Sequence, residues 1–367
     1  MNKIYKALVL LMGVFLFSGE INAQDYSTHA QASQRLAKIA KSYPSLAKVK
    51  SLTKTFGGKD IWMITIGSGN TEQKPAIAVV GGVEGTHVLG TELALGFAEK
   101  LLKDSSLDSI KTLLSKNTFY VFPNMSPDAT EQYFAQVRYA RSANARPSDD
   151  DRDGKINEDG FEDLNKDGKI SWIRIEDPTG KYRINPEDPR SMILADQSKG
   201  EIGKYLLYSE GIDNDKDGDF NEDGEGGVHF NKNMSFAYPN FIPGSGEHMV
   251  SENENRALLD NLFEMFNVYS VITFGPYNNL SSPVNFSAPA VAKRVITGYF
   301  EPDAKANTLV SDLYNKTTGL KDAPKSVAGG GDFAQWAYFH YGRYSYSTPG
   351  WWVPKAKADT AKKEKDL

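Results

Sequence analysis

The residues of this chain with the most chemistry in them are a carboxylate and an imidazole three apart in a glycine-rich turn. In Gly81-Gly82-Val83-Glu84-Gly85-Thr86-His87-Val88-Leu89-Gly90, Glu84 and His87 are both of a type that ligates a transition-metal ion. A second pattern uses oxygen alone. Asp149-x-Asp151-x-Asp153-Gly154-x-Ile156, Asp163-x-Asn165-x-Asp167-Gly168-x-Ile170 and Asp213-x-Asp215-x-Asp217-Gly218-x-Phe220 repeat one scheme three times. Oxygen ligands at alternate positions wrap a hard cation, the glycine permits the sharp turn, and the apolar residue anchors the loop to a core, so the spacing predicts calcium loops. One copy alone would read as a solvated acidic turn. The twelfth position, glutamate in an EF-hand, holds Gly160, Arg174 and Gly224 instead, and Glu158 and Glu222 are the residues expected to serve in its place.

These residues need elements to hold them. Ala76 to Val80 is an apolar run that predicts a buried strand ahead of the Glu84 turn, and Leu93, Phe97 and Leu101, spaced four apart, predict the buried face of a helix after it. Ligands in α/β sheets bind in the crevice beyond the carboxyl ends of the strands, where this turn falls. Further strands are predicted at Ile61 to Ile66, Thr118 to Phe122 and Val268 to Thr273. A helix through Leu36, Ile39 and Ala40 is expected to end at Tyr43-Pro44, because the residue before proline is pushed out of the α region. Ser251-Glu252-Asn253-Glu254 reads as a capping box opening a helix through Leu258, Leu259, Leu262, Phe263 and Phe266.

Six segments in order resemble the zinc carboxypeptidases, the carboxypeptidase A-like metallopeptidases. They are Phe56 to Trp62, the Glu84 turn, Pro123-Asn124-Met125-Ser126-Pro127-Asp128-Ala129, Gly227-Val228-His229-Phe230-Asn231-Lys232-Asn233, Val271 to Tyr277, and Tyr344 to Trp352. The likeness spans roughly residues 45 to 352. It implies an α/β fold with a mixed, mostly parallel twisted sheet and helices on both faces, interrupted here by an acidic calcium-loop insertion at 147–226. It also implies zinc as cofactor and, as ancestral activity, removal of C-terminal residues from peptides or cell-wall peptides.

Residue by residue, the match is altered. The family's turn carries His-x-x-Glu, and this chain has the same ligand types in reversed order, Glu84-x-x-His87. The strand that ends in the family's third zinc histidine reads Val271-Ile272-Thr273-Phe274-Gly275, with no histidine. The catalytic glutamate's place falls at Thr348 or Pro349, neither of which is a general base. The family's Asn-Arg pair for the substrate carboxylate corresponds to Asn231 and Lys232, and lysine keeps the charge without the bidentate fork. Arg141 and Arg146 fall where the family has a further substrate arginine, with solvated surface arginines as the plain reading. A rebuilt zinc triad of Glu84, His87 and His229 is the alternative that restores a metal: in an extended segment His229 would face the same way as Asn231, about 7 Å along the chain. Without it, His229 is a polar wall residue and His87 a helix-start residue. His340 is expected among aromatics, and His29 and His248 lie outside every motif.

The beginning of the chain reads as an address. Lys3 and Lys6 precede an apolar run from Ala7 to Phe17, and Ile21-Asn22-Ala23 is a cleavage site, so residues 1–23 are expected to be a signal peptide and the protein exported to the periplasm or beyond the cell. The run is too short for a comfortable membrane span. Residues 24–352 form the carboxypeptidase-like domain and 353–367 a lysine-rich tail, disordered or cut short. The chain has no cysteine and hence no disulfide. Its net charge of −5 carries no concentrated basic face, which argues against nucleic acid as a partner. Three functions follow from these readings: a degenerate family member that binds peptides without cutting, a divergent hydrolase using the rebuilt site, and a calcium-organised extracellular scaffold.

Overall fold

The computed structural model describes residues 26–149, 154–157, 160–214, 216, 226–323 and 328–353. The expected signal peptide and the tail beyond Val353 lie outside them. Ten strands among the described residues form two sheets. The larger has the order β1-β2-β4-β3-β9-β10, from β1 (Ala47–Lys54), β2 (Asp60–Ile66), β3 (Ala76–Val80), β4 (Thr118–Phe122), β9 (Val268–Phe274) and β10 (Tyr344–Thr348). β1, β2 and β4 pair antiparallel, whereas β4, β3, β9 and β10 run parallel, which is the mixed, mostly parallel sheet expected.

Strand alternation divides the core in two. Ile61, Met63, Ala78, Val80, Tyr120 and Phe122 face one layer, packed with Leu258, Leu259 and Leu262 and with Phe333, Trp336 and Ala337. Ile64, Ile66, Val79, Phe119 and Val121 face the other, packed with Leu36 and Ile39 and with Ala94, Leu95, Ala98, Leu101 and Leu102. Burial on both faces is why β3 and β4 read as unbroken apolar runs rather than alternating ones. The helices follow in chain order: α1 (His29–Ser42), α2 (Leu89–Lys103), α3 (Asp108–Lys116), α4 (Pro127–Gln132), α5 (Asn253–Glu264), α6 (Ala288–Val291), α7 (Glu301–Thr318) and α8 (Phe333–Phe339).

Two local expectations are corrected. The buried face of α2 is Thr91, Ala94, Leu95, Ala98, Leu101 and Leu102, and Leu93 and Phe97 are only half-buried. The small side chains of Ala94 and Ala98 let the helix lie close to the sheet; leucine spacing alone pointed one residue too early. The α5 cap is Glu252 rather than Ser251, and no side chain caps the helix: Ser251 Oγ donates to Glu252 Oε1 at 2.6 Å. Helix α1 ends at Tyr43, ahead of Pro44, as expected.

The insertion is more than acidic loops. Trp172–Glu176 (β5), Tyr182–Ile184 (β6), Met192–Leu194 (β7) and Tyr205–Ser209 (β8) make a second, antiparallel sheet of order β5-β8-β6-β7. No acidic repeat predicts it. Its signal is the alternating apolar content of Trp172-Ile173-Arg174-Ile175, easily passed over between two Asp-rich stretches.

Candidate functional site

The turn after β3 is shaped by close approach. A Cβ on Gly81 would lie 2.4 Å from Gly90 O and 2.6 Å from Pro123 O, and one on Gly82, at φ +61°, would lie 2.3 Å from Asn124 Oδ1. Only glycine lets the chain pass between the α2 N-terminus and the β4 exit. The turn then tightens: His87 N–H donates to Glu84 O at 3.0 Å and Gly90 N–H to His87 O at 3.0 Å, so Leu89 starts α2 with Glu84 and His87 outside the sheet's carboxyl edge. Arg35 on α1 braces the new helix, with Nη1 donating to Glu92 at 2.6 Å and a bidentate pair to Glu99 at 2.8 Å.

His87 is tied across the sheet. Its Nε2 lies 3.1 Å from Pro349 O, just past β10. A carbonyl only accepts, so Nε2 carries the proton in the neutral ring, and burial holds the imidazole pKa below its ordinary value, which keeps it neutral. Nδ1 is left as a lone pair, buried and without a hydrogen-bond partner. Glu84 is half-buried and accepts a long 3.5 Å bond from Thr86 Oγ1.

Asp332 is a residue that sequence reasoning missed. It caps α8, accepting from Gln335 N–H at 2.9 Å and from Asn231 Nδ2 at 2.9 Å, while Asn231 Oδ1 accepts from Phe333 N–H. Burial pushes its carboxyl up to about 6, and the nearby Glu84 charge acts in the same direction. Tyr277, half-buried, is pushed up to about 12 by its partial burial and by Asp332. The available signal was Gly331-Asp332 ahead of an aromatic-rich run, a helix N-cap.

His229 takes a different course from the one expected. Phe230–Lys232 is a turn of 3₁₀ helix with His229 at its N-cap, so the segment is not extended and alternation does not align His229 with Asn231. The His229 ring packs on Gly244, where a Cβ would lie 2.3 Å from Cδ2, and the His229 backbone N–H donates to Gly244 O at 2.8 Å. Burial and then the Lys232 charge push its pKa down to about 4. Thr348 is likewise engaged, its Oγ1 3.0 Å from Tyr314 Oη and accepting from Gly350 N–H at 3.0 Å. At the end of β9, Phe274 pairs with Thr348 and Gly275 N–H donates to Thr348 O.

A hydrolytic zinc centre takes three protein ligands around one ion. The residues present do not fit one. Among the described residues no three His, Cys, Asp or Glu side chains are grouped to hold a metal ion, so Glu84, His87 and His229 are not gathered into one ligand set. Of the three, His87 alone has a buried polar atom without a partner, the Nδ1 lone pair, which supplies one ligand position.

The expected substrate groups are also bound within the protein. Arg146 bridges Glu252 at 3.0 Å and Glu247 at 2.6 Å. Arg141 donates to Ala143 O and Asn144 O, and Lys232 Nζ reaches Pro243 O at 3.4 Å. His340 meets Phe236 edge-on at 5.4 Å, among aromatics as expected.

Of the acidic loops, the second is described throughout. Asp163 accepts from Asp167 and Gly168 N–H, Asn165 from Asp167 N–H, and Asp167 from Lys169 N–H, at 2.8–3.1 Å, with Lys166 and Gly168 at positive φ. Glu210, buried at the end of β8 and unforeseen from sequence, anchors this loop by accepting from Leu164, Asn165 and Ser171 N–H at 3.0 Å each. In the first loop Asp149 accepts from Gly154 N–H at 3.1 Å, and in the third Asp213 accepts from Lys216 N–H. Asp151, Asp153, Glu158, Asp215, Asp217 and Glu222 lie outside the described residues.

A mostly parallel sheet between helical layers, with a glycine turn beyond its carboxyl edge, is the fold of the carboxypeptidase class of α/β proteins. A family model for zinc carboxypeptidase matches residues 32–349, and the chain belongs to that family. Among curated proteins, human carboxypeptidase D is 28% identical over 148 residues, which is 39% of this chain and 10% of that protein. Mouse carboxypeptidase M is 26% identical over 117 residues, 30% of this chain and 26% of that one. The matches therefore span far less than two thirds of those relatives. Among solved structures, bovine thrombin-activatable fibrinolysis inhibitor in complex with tick carboxypeptidase inhibitor aligns with a TM-score of 0.54 at 12% identity, covering 88% of this chain and 85% of that one. Carboxypeptidase A from Helicoverpa armigera aligns at 0.52 with 14% identity, covering 94% and 70%. At those identities the likeness is one of fold.

Proposed function

We propose that this protein is a peptide-binding member of the zinc carboxypeptidase family that holds peptides, cell-wall peptides among them, without hydrolysing them. The observation that carries this reading is the pairing of an open groove next to the glycine turn with engaged chemistry. A cavity of about 620 Å³ opens beside Gly85 and Thr86, while His87 Nε2, Thr348 Oγ1 and the His229 ring are each committed to contacts within the protein. In this reading the molecule works after export and signal-peptide cleavage near Ala23. No helix among the described residues is long and apolar enough to cross a membrane. The test is titration of the purified protein with labelled peptide pools alongside zinc analysis. Saturable peptide binding with zinc well below one per chain is expected; one zinc per chain with turnover would favour the hydrolase, and no peptide binding the scaffold.

Calcium belongs to the same proposal, as the ion that organises the insertion. Support comes from the second loop, where Asp163, Asn165 and Asp167 curl their oxygens inward around a positive-φ Gly168 and Glu210 secures the loop to the second sheet. An ion that binds only the folded state stabilises it by about 2.7 kcal/mol at a hundredfold excess over its dissociation constant. Chelation is therefore expected to lower the melting temperature and calcium to restore it. An identical melting curve in excess chelator would remove calcium from the proposal.

A further inference from the structure

The groove beside the Glu84 turn has a wall that no family segment supplies. The second acidic loop of the insertion closes it: Arg138 N–H donates to Gly168 O at 3.0 Å, and Arg138 and Lys169 form a parallel bridge. That pairing brings cations from two separate stretches to one cavity, which Arg138, Arg141 and Lys169 all line. Asp167 is the one carboxylate among the lining residues, and it accepts from Lys169 N–H at 2.9 Å. The three cations are not equivalent. Arg141 is spent on the carbonyls of Ala143 and Asn144. The Arg138 guanidinium and the Lys169 ammonium are exposed and make no hydrogen bond or ion pair among the described residues. Two tyrosines held by other rings line the same cavity: Tyr139 meets Phe161 edge-on at 5.1 Å, and Tyr133 meets Tyr26 at 5.8 Å.

We propose that this groove selects anionic peptides, with Arg138 and the insertion's Lys169 reading Asp or Glu side chains and Tyr133 and Tyr139 packing the intervening apolar or aromatic residue. The inference rests on the peptide-binding reading above. Its physical basis is that unpaired cations in a concave, partly apolar wall focus their field into the cavity, whereas the same charges on a convex surface are screened. Rings already held by neighbouring aromatics supply contact area at little entropic cost. The net charge of −5 makes this cationic concavity a local exception on an acidic molecule, so it also excludes the wrong ligand: a lysine-rich peptide meets repulsion inside the groove.

The experiment is fluorescence anisotropy of the full chain with three short labelled peptide pools, identical except that two fixed positions carry Glu, Gln or Lys. The Glu pool is expected to bind about tenfold tighter than the Gln pool at low salt, with the gap closing as salt is raised. The double variant Arg138→Glu with Lys169→Glu is expected to reverse the order of the Glu and Lys pools; both side chains are exposed, and an unchanged melting temperature shows that the fold is kept. Equal affinity for all three pools would overturn the anionic selectivity while leaving peptide binding in place. Failure of every pool to bind would overturn peptide binding and this inference with it.

Discussion

The purified protein, incubated with a broad mixture of peptides with or without added zinc, is expected to release no C-terminal residue above a buffer blank. A positioned general base is worth about two to four powers of ten in rate. The place expected for the family's glutamate falls at Thr348 or Pro349, and Thr348 Oγ1 is turned to Tyr314 Oη and Gly350 N–H. Hydrolysis would also need a three-ligand metal centre, and no such group is assembled among the described residues. Thr348 is 1% exposed, so Thr348→Glu is expected to leave activity absent and to lower the melting temperature: its carboxylate would be buried against Tyr314 rather than delivered to the groove. Chelator-sensitive release of single C-terminal residues by the unmodified protein would overturn the non-hydrolytic reading.

Stability is expected to fall as pH rises through neutrality, with Glu254 as a main cause. This side chain is 1% exposed at the start of α5; its Oε1 accepts from Asn144 Nδ2 at 2.7 Å and its Oε2 has no partner. Burial, with the charges of Glu252 and Asp128 acting the same way, pushes its pKa from 4.5 up to about 7. Between those values the folded state holds a proton that the unfolded state has released, so its contribution to stability is full below about pH 4.5 and is lost as pH rises through about 7. At 1.36 kcal/mol per pH unit the gap corresponds to about 3 kcal/mol. Glu254→Gln keeps the acceptor for Asn144 and removes the titration. Urea unfolding at pH 5 and pH 8 is expected to show a pH dependence flatter by about 2–3 kcal/mol in the variant. Asp332 and the half-buried histidines titrate in both proteins, so the difference between parent and variant isolates Glu254, and equal slopes would refute the assignment. Depressed carboxylates such as Glu92 work with the opposite sign and only toward acid pH.

The same buried cluster explains where the expected arginines went. Arg146 and Asn144 both turn to Glu252, Asn144 reaches Glu254 as well, and Asp128 accepts from Ala145 N–H. Two carboxylates at the α5 start need partners once taken out of water: Arg146 and the Asn144 amide supply them for Glu252, and the Asn144 amide alone for Glu254. A sequence lists Arg146 as a charge; it does not say that Glu252, more than a hundred residues on, will claim it.

What could be read without coordinates was whatever a local period or a steric rule controls. The strands Ala76–Val80 and Thr118–Phe122 fell where their apolar runs lay, because both faces of a parallel strand are buried. The end of α1 at Tyr43 followed from Pro44, and the turn at Gly81-Gly82 from glycines that alone tolerate its contacts. Family and fold were legible because six such local segments occur in order. Side-chain direction was not: His229 was expected to alternate along an extended segment and instead caps a 3₁₀ turn, and Thr348 turned away to Tyr314. The second sheet, Asp332 against Asn231, Glu210 under the acidic loop and the meeting of Arg138 with Lys169 all join residues distant in sequence. Such pairings are settled by which groups find partners when water is excluded, a condition that exists only once the chain has closed around them.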